Sequence, residues 1–197
     1  MFTGIIEKTG ILHAIENTGS NLHFWVKSDL ADALQIDQSL SHNGVCLTVD
    51  QLAPGLHRVT AVKETLEKTN LGQWQPGTLI NLERCMPLNG RLDGHMVQGH
   101  ADGTATCTGI TDKNGSWEFD FRFNPLFASL IIEKGSISLN GISLTIFNIK
   151  TDSFTVAIIP YTFEHTNMQQ LKKGDTVNLE FDVIGKYVNR ISQLQNQ

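Results

Sequence analysis

No apolar run in this 197-residue chain approaches the roughly 20 residues that cross a bilayer, so no membrane partner is expected. The N-terminus sets Glu7 and Gly10 among its apolar residues, which leaves no signal-peptide core. Three cysteines (Cys46, Cys85 and Cys107) are too few and odd in number for a disulfide framework, and a reducing cytoplasm is the expected compartment. The net charge of −5 comes without the clustered Lys and Arg of a nucleic-acid surface, although it leaves room for an anionic or polyol ligand. There is no phosphate-cradling glycine loop, no Gly-x-Ser-x-Gly elbow and no dinucleotide fingerprint. His95 and His100 bracket Met96-Val97-Gln98-Gly99, a spacing that fits no common metal site, and no metal is expected. One of these histidines is better placed in a ligand cleft, as a hydrogen-bond or proton-transfer group.

What the chain does have is a duplication. Asn43-Gly44-Val45-Cys46-Leu47-Thr48 recurs as Asn140-Gly141-Ile142-Ser143-Leu144-Thr145. Thr65-Leu66-Glu67-Lys68-Thr69-Asn70-Leu71 recurs as Thr162-Phe163-Glu164-His165-Thr166-Asn167-Met168, and Gly77 with Asn81-Leu82-Glu83 as Gly174 with Asn178-Leu179-Glu180. All three pairs stand 97 residues apart (140 less 43, 162 less 65, 174 less 77). A duplicated core alone would keep apolar positions and let the polar ones drift. Here Gly, Asn, Thr and Glu are kept, which implies two similar domains, each with a similar polar site, handling two similar ligands. The length allows two domains near the lower common size.

Short strand-like runs between turn residues predict an all-β sandwich or barrel in each half. The runs cover residues 5–12, 22–26, 45–52, 56–62 and 78–83, then 103–110, 117–123, 142–149, 154–159 and 176–182. Pro54-Gly55 suits a type II turn. Ser28-Asp29 is placed to cap a short helix over 30–34, and Asn124-Pro125 to open another over 126–132. Ile184, Tyr187, Val188, Ile191 and Leu194 follow a helical period outside the repeat. The expected domains are 1–94 and 95–182, followed by a helix over 183–197. That helix packs either on its own domain or against copies of itself.

In a strand, Val45, Leu47 and Val49 share one face, and Cys46 and Thr48 the other. Ile142, Leu144 and Ile146 oppose Ser143 and Thr145 in the same way. One such strand is most simply a half-buried one meeting solvent. Two copies with the same order of small donors, each beside a glycine, favour a ligand site. Cys46 alone reads as a small buried hydrophobe, and its duplicate Ser143 modestly raises a functional reading. The Thr-x-Glu-x-Thr-Asn segments read as helical turns whose Thr and Asn bond local backbone.

Taken together, Met1-Phe2-Thr3-Gly4-Ile5-Ile6-Glu7, His42-Asn43-Gly44-Val45-Cys46-Leu47-Thr48-Val49, Lys63-Glu64-Thr65-Leu66, Gly94-His95-Met96-Val97-Gln98-Gly99-His100, Gly141-Ile142-Ser143-Leu144-Thr145 and Ile159-Pro160 resemble the α-chain type of riboflavin synthase. The resemblance runs from Met1 to the last helix. It implies two six-stranded Greek-key β-barrels and a homotrimer held by C-terminal helices. It implies dismutation of two molecules of 6,7-dimethyl-8-ribityllumazine, one giving a four-carbon unit to the other, to yield riboflavin and 5-amino-6-(ribitylamino)uracil. No cofactor is used, two substrate molecules share each site, and lumazine synthase is a further candidate partner.

By motif match the N-barrel site would hold Gly4, Ile5, Ile6, Cys46, Leu47, Thr48, Thr60, Ala61, Val62, Lys63, Glu64, Thr65, Gly99, His100 and Ala101. The C-barrel site would hold Lys134, Ser143, Leu144, Thr145, Ile158, Ile159, Pro160, Tyr161, Thr162 and Phe163. His100 is the candidate for proton transfer, with Thr145 as a rival, and Cys46 and Ser143 are candidates for the nucleophile or for holding a water. Many members of the family carry Asp where this chain has Asn140, so an ion pair with Lys134 cannot form here, and Asp182 is a candidate substitute. Two other functions compete: a non-catalytic lumazine- or flavin-binding antenna protein, and a flavin reductase domain. Retention of Cys46, His100 and the second-barrel motif disfavours the first, and the missing nucleotide fingerprint disfavours the second.

Overall fold

The computed structural model describes residues 1–195. Two closed antiparallel barrels of six strands follow one another. The first is built from β1 (Lys8–Thr18), β2 (Asn21–Lys27), β3 (Ser39–His42), β4 (Val45–Ala53), β5 (Leu56–Ala61) and β6 (Leu79–Arg84), closing in the order β1-β2-β5-β4-β3-β6. The second uses β7 (Gly103–Asp112), β8 (Trp117–Arg122), β9 (Ser136–Leu139), β10 (Ile142–Phe147), β11 (Ser153–Ile158) and β12 (Thr176–Phe181), closed in the equivalent order. Closure leaves neither sheet a free edge, which a strand-rich chain must otherwise protect. Helices α1 (Lys63–Lys68) and α2 (Pro160–His165) follow β5 and β11, and α3 (Val183–Gln195) ends the described chain. No helix among the described residues is long and apolar enough to cross a membrane.

Each barrel has its own core. In the first it runs from Leu12 and Phe24 through Leu40, Val49 and Val59 to Ile80 and Leu82. The second is richer in phenylalanine, with Phe119, Phe121, Phe123, Phe154 and Phe181 all buried and in ring contact. Along β4 the side chains alternate: Val45, Leu47 and Val49 are buried, Cys46 is half-buried and Thr48 exposed.

Several local expectations need correction. β3 and β9 have no counterpart among the sequence-predicted runs, because four-residue strands such as Ser-Leu-Ser-His carry almost no periodicity of their own. The first strand starts at Lys8 rather than at residue 5 and continues to Thr18 through a bulge between Leu12 and Ala14. Ile5 and Ile6 belong to a loop that crosses to the second barrel, where Ile6 packs on the core. The turn after Ser28-Asp29 is a short 3-10 segment, Ala31–Ala33, with no side-chain cap, and Ser28 Oγ has no hydrogen-bond partner among the described residues. The predicted cap at Asn124 is real. Its side chain accepts from Leu126 N, but the element is again a 3-10 helix, Pro125–Leu130. Pro54-Gly55 does turn β4 into β5, with Gly55 at φ +68°.

The repeated asparagines join the barrels, and Asn43, Asn70, Asn140 and Asn167 also line a cleft of about 420 Å³ along that joint. Asn81 Nδ2 donates to Asn140 O (3.0 Å) and Asn167 Oδ1 (2.9 Å), and its Oδ1 accepts from Asn167 N (2.8 Å). In the second barrel Asn178 Nδ2 donates to Asn43 O (2.9 Å), and its Oδ1 accepts from Asn70 N (2.8 Å). At the centre Gly44 and Gly141 touch backbone to backbone: a Cβ on Gly44 would lie 2.6 Å from Gly141 N. Both glycines sit at positive φ, +76° and +81°, so space and conformation alike exclude a side chain. The threonines of these segments do bond locally, as expected, with Thr69 Oγ1 donating to Thr65 O and Thr166 Oγ1 to Thr162 O.

The first barrel alone contains a buried histidine pair. His42 Nε2 and His57 Nε2 are 2.8 Å apart, and both side chains are fully buried. The equivalent positions 97 residues on are Leu139 and Phe154. Burial, and then the neighbouring histidine, hold His42 well below its usual range, while burial lowers His57 to about 4. The unfolded chain therefore takes up protons below pH 6.5 that the folded barrel refuses down to about 4. Stability falls as pH falls through that window, by about 3 kcal/mol for His57. The double substitution His42→Leu with His57→Phe, which copies the second barrel, is expected to flatten the acid limb of a melting-temperature profile. An unchanged acid limb would remove the pair as its cause.

Candidate functional site

On the outer face of the first barrel, Cys46 lies in a cleft of about 230 Å³. β4 supplies Val45 and Cys46, α1 supplies Glu64, Thr65 and Lys68, and the inter-barrel segment supplies Gly99, His100 and Ala101. The strand, the helix after β5 and the segment that follows the barrel thus meet at one thiol. Burial pushes the Cys46 thiol up, with Ser39 opposing through a hydrogen bond. It is a neutral thiol at physiological pH, able to hydrogen-bond but not held as a thiolate. The His100 ring is exposed, and its backbone N–H is fixed by Glu180 (2.9 Å).

The second barrel repeats the strand and helix. Ser143 is half-buried, Thr145 exposed, and Ile159, Pro160 and Tyr161 open the exposed first turn of α2. Phe163 on that helix stacks on Trp117 at 3.9 Å, which fixes α2 against β8. Ser143 Oγ lies 2.7 Å from His95 Nδ1. Burial lowers His95, against the charge of Asp182, so its ring is neutral at pH 7 and can take or return a proton. Sequence reasoning singled out His100 and left His95 without a role; nothing in its spacing announces that it reaches Ser143.

The loops sort differently from the motif grouping. Gly4 belongs to the second barrel's site: its carbonyl accepts from Ser143 N (2.7 Å), and a Cβ there would lie 2.6 Å from Ser143 Cβ. Gly99 stands in the same relation to the first barrel, its carbonyl accepting from Cys46 N (2.9 Å). Gly4 and Ile6 therefore go with the second barrel, Ile5 lines a cleft beside Ser39, Glu83 and Arg84 of the first, and Gly99, His100 and Ala101 stay with Cys46. Thr60 faces out from β5 towards His23 and Asp50, which it bonds, rather than towards the cleft beside Cys46.

Asp182 does not replace the missing acid at position 140. It accepts from Ile184 N (3.0 Å) and so caps the first turn of α3. Lys134 instead lies over the Phe147 ring, 5.1 Å from its centroid, at a backbone φ of +64°. Asn140 accepts from Asn178 N through its side chain and from Asn81 through its carbonyl, so it holds the joint between barrels.

The lumazine binding domain family matches the chain twice, over residues 3–85 and 98–182. The riboflavin synthase of Bacillus subtilis (strain 168) is 37% identical over 198 residues, covering 100% of this chain and 92% of that protein. The riboflavin synthase of Mycobacterium tuberculosis (strain ATCC 25618 / H37Rv) is 39% identical, covering 97% of this chain and 98% of that protein. Among solved structures, LumP complexed with riboflavin superposes with a TM-score of 0.86 at 24% identity over 92% of this chain and 99% of that one, a likeness of fold. With both repeats matched and nearly the whole length shared, the chain belongs to the riboflavin synthase family and carries its lumazine binding domain twice.

Proposed function

We propose that the protein is a riboflavin synthase that dismutates two molecules of 6,7-dimethyl-8-ribityllumazine into riboflavin and 5-amino-6-(ribitylamino)uracil. One observation carries this reading: a single chain bears two versions of one site, Cys46 beside Gly99 in one barrel and Ser143 beside Gly4 in the other. A reaction between two copies of one substrate needs two such sites brought face to face, and holding both reactants in register is itself a large rate effect. The Cys46 cleft, at about 230 Å³, falls below the roughly 300–1,000 Å³ of a ligand pocket. It covers part of a ligand and leaves the rest for another surface. The other surface is the Ser143 site of a neighbouring subunit, in a homotrimer assembled through α3, from units spanning 1–94, 95–182 and a helix described over Val183–Gln195, the last two residues of the expected 183–197 lying outside the described residues.

Within that arrangement the chain's own groups have distinct tasks. His95 and His100 are the groups able to move protons near Ser143 and Cys46, and Thr145 and Thr48 are exposed donors on the same strand faces. A non-catalytic lumazine- or flavin-binding antenna protein is the second reading, since LumP, solved in complex with riboflavin, shares the fold. Cys46, His100 and the full second-barrel motif favour the enzyme.

Incubation of the purified protein with 6,7-dimethyl-8-ribityllumazine is expected to release riboflavin without added cofactor. No product at high protein concentration would overturn the reading. Because the thiol is held neutral, Cys46→Ser is expected to slow turnover by less than about tenfold, and Cys46→Ala by more, with ligand binding retained in both. Wild-type rates for both would make Cys46 a packing residue. His100→Gln should slow turnover by about a hundredfold with ligand binding retained, and a wild-type rate would remove His100 from proton transfer.

A further inference from the structure

Two buried carboxylates, one per barrel, grip loops that complete the opposite barrel's site. Glu83 on β6 is 5% exposed and accepts from Thr3 N (2.6 Å), Thr3 Oγ1 (2.7 Å) and Gly4 N (3.0 Å). Glu180 on β12 is 2% exposed and accepts from the N–H groups of Gln98 (2.7 Å), Gly99 (2.9 Å) and His100 (2.9 Å). Neither forms an ion pair among the described residues.

Beyond each grip the loop crosses over. The Thr3-Gly4 loop leaves Glu83 of the first barrel and lies on Ser143 of the second. The Gln98-Gly99-His100 loop leaves Glu180 of the second barrel and lies on Cys46 of the first. Gly4 and Gly99 have nearly the same φ, +77° and +80°, and a Cβ on either would come within 2.6 Å of the Ser143 or Cys46 Cβ. Phe2 and Val97 pair the two loops through reciprocal backbone hydrogen bonds of 2.7 and 3.1 Å. The same device is therefore present twice, with the barrels exchanged.

We propose that Glu83 and Glu180 are crossed positioning residues: Glu83 of the first barrel sets lumazine binding at Ser143, and Glu180 of the second sets it at Cys46 and His100. Only a carboxylate suits this task. It offers two oxygens with no competing donor, whereas a glutamine would turn an NH₂ towards one of the converging N–H groups. Burial raises both carboxyls, and the loop N–H groups oppose that rise. A buried ion is a costly way to gain stability, but its charge-assisted bonds fix a loop to a narrow geometry. The consequence is that each barrel needs the other to bind its own ligand.

The proposal rests on the lumazine reading, and one experiment separates the two. Full-length protein is titrated with an 8-ribityllumazine that carries a ¹³C methyl at C6 and none at C7, so that it binds as a lumazine but cannot be dismutated, and the bound-ligand resonances are followed. The native chain is expected to show two bound environments. Glu180→Gln should weaken the one that Cys46→Ala also shifts, and Glu83→Gln the one that Ser143→Ala shifts, each by about tenfold or more with the other environment retained. If both variants weaken both environments equally, or neither weakens any, the crossed assignment is wrong. If the native chain binds no lumazine at all, the underlying reading fails with it. Should a glutamine variant not fold, Glu83→Asp and Glu180→Asp keep the charge but withdraw it by one methylene. They are expected to give the same crossed pattern, and a pattern that is not crossed overturns the proposal equally well.

Discussion

Removing α3 after Asp182 is expected to lower riboflavin formation by about a thousandfold or more while both barrels remain folded, because the expected penalty is loss of juxtaposition between two bound reactants. The helix contains no buried residue. Ile184, Tyr187, Val188, Ile191 and Leu194 are between 52% and 70% exposed, and they lie on the stripe that the helical period draws. Full burial of such side chains is worth roughly 1.5–3 kcal/mol each, so copies of the helix have a strong drive to associate. Attachment to its own chain is slight: Lys186 pairs with Asp102 at 2.7 Å, and Gly185 packs near Leu130. Sedimentation and the riboflavin assay on one sample check this. A truncated chain that sediments as the same oligomer as the full chain would refute the assembly role, and an unfolded one would mean the helix supports its own barrel. Lys186→Ala in the full chain controls for loss of the Asp102 contact.

Asn178→Ala should destabilise the protein by about 2–6 kcal/mol and slow turnover together with it. The change orphans two buried backbone groups, Asn70 N–H and Asn43 C=O, each costing about 1–3 kcal/mol when left without a partner. Asn81→Ala, its repeat-mate, removes the bonds to Asn140 and Asn167 and should behave alike. Thermal or denaturant unfolding is the check. Two separated transitions would show the barrels uncoupled, whereas an unchanged single transition would show that the asparagine joint contributes little. Asn178→Asp keeps the acceptor for Asn70 but turns a buried carboxylate oxygen against the Asn43 carbonyl, so its cost should match or exceed that of the alanine variant.

The duplication was legible because 97-residue spacing preserves whole segments, and strand alternation in Val45-Cys46-Leu47-Thr48-Val49 was legible because its period is short and its apolar face strong. β3 and β9 were not, since each strand is fixed by neighbours on both sides rather than by its own pattern. The asparagines stand out in the repeat, but their partners do not. Their repetition meets the needs of a pseudo-symmetric joint, where each copy bonds the backbone of the other, and a linear pattern cannot distinguish that from a repeated ligand contact.

The amino-acid sequence by itself determined the class of fold, the two-fold repetition, the face on which Cys46, Thr48, Ser143 and Thr145 stand, and the family. All of these depend on local periodicity or on long stretches compared whole. Tertiary structure alone decided that His95 meets Ser143, that Gly4 serves the second barrel while Gly99 serves the first, and that Glu83 and Glu180 hold those loops across the joint. The His95–Ser143 contact spans 48 positions of sequence, and the Glu180–Gln98 contact spans 82. Such contacts exist only once both barrels have closed and docked through backbone at Gly44 and Gly141, where no side chain records the partner.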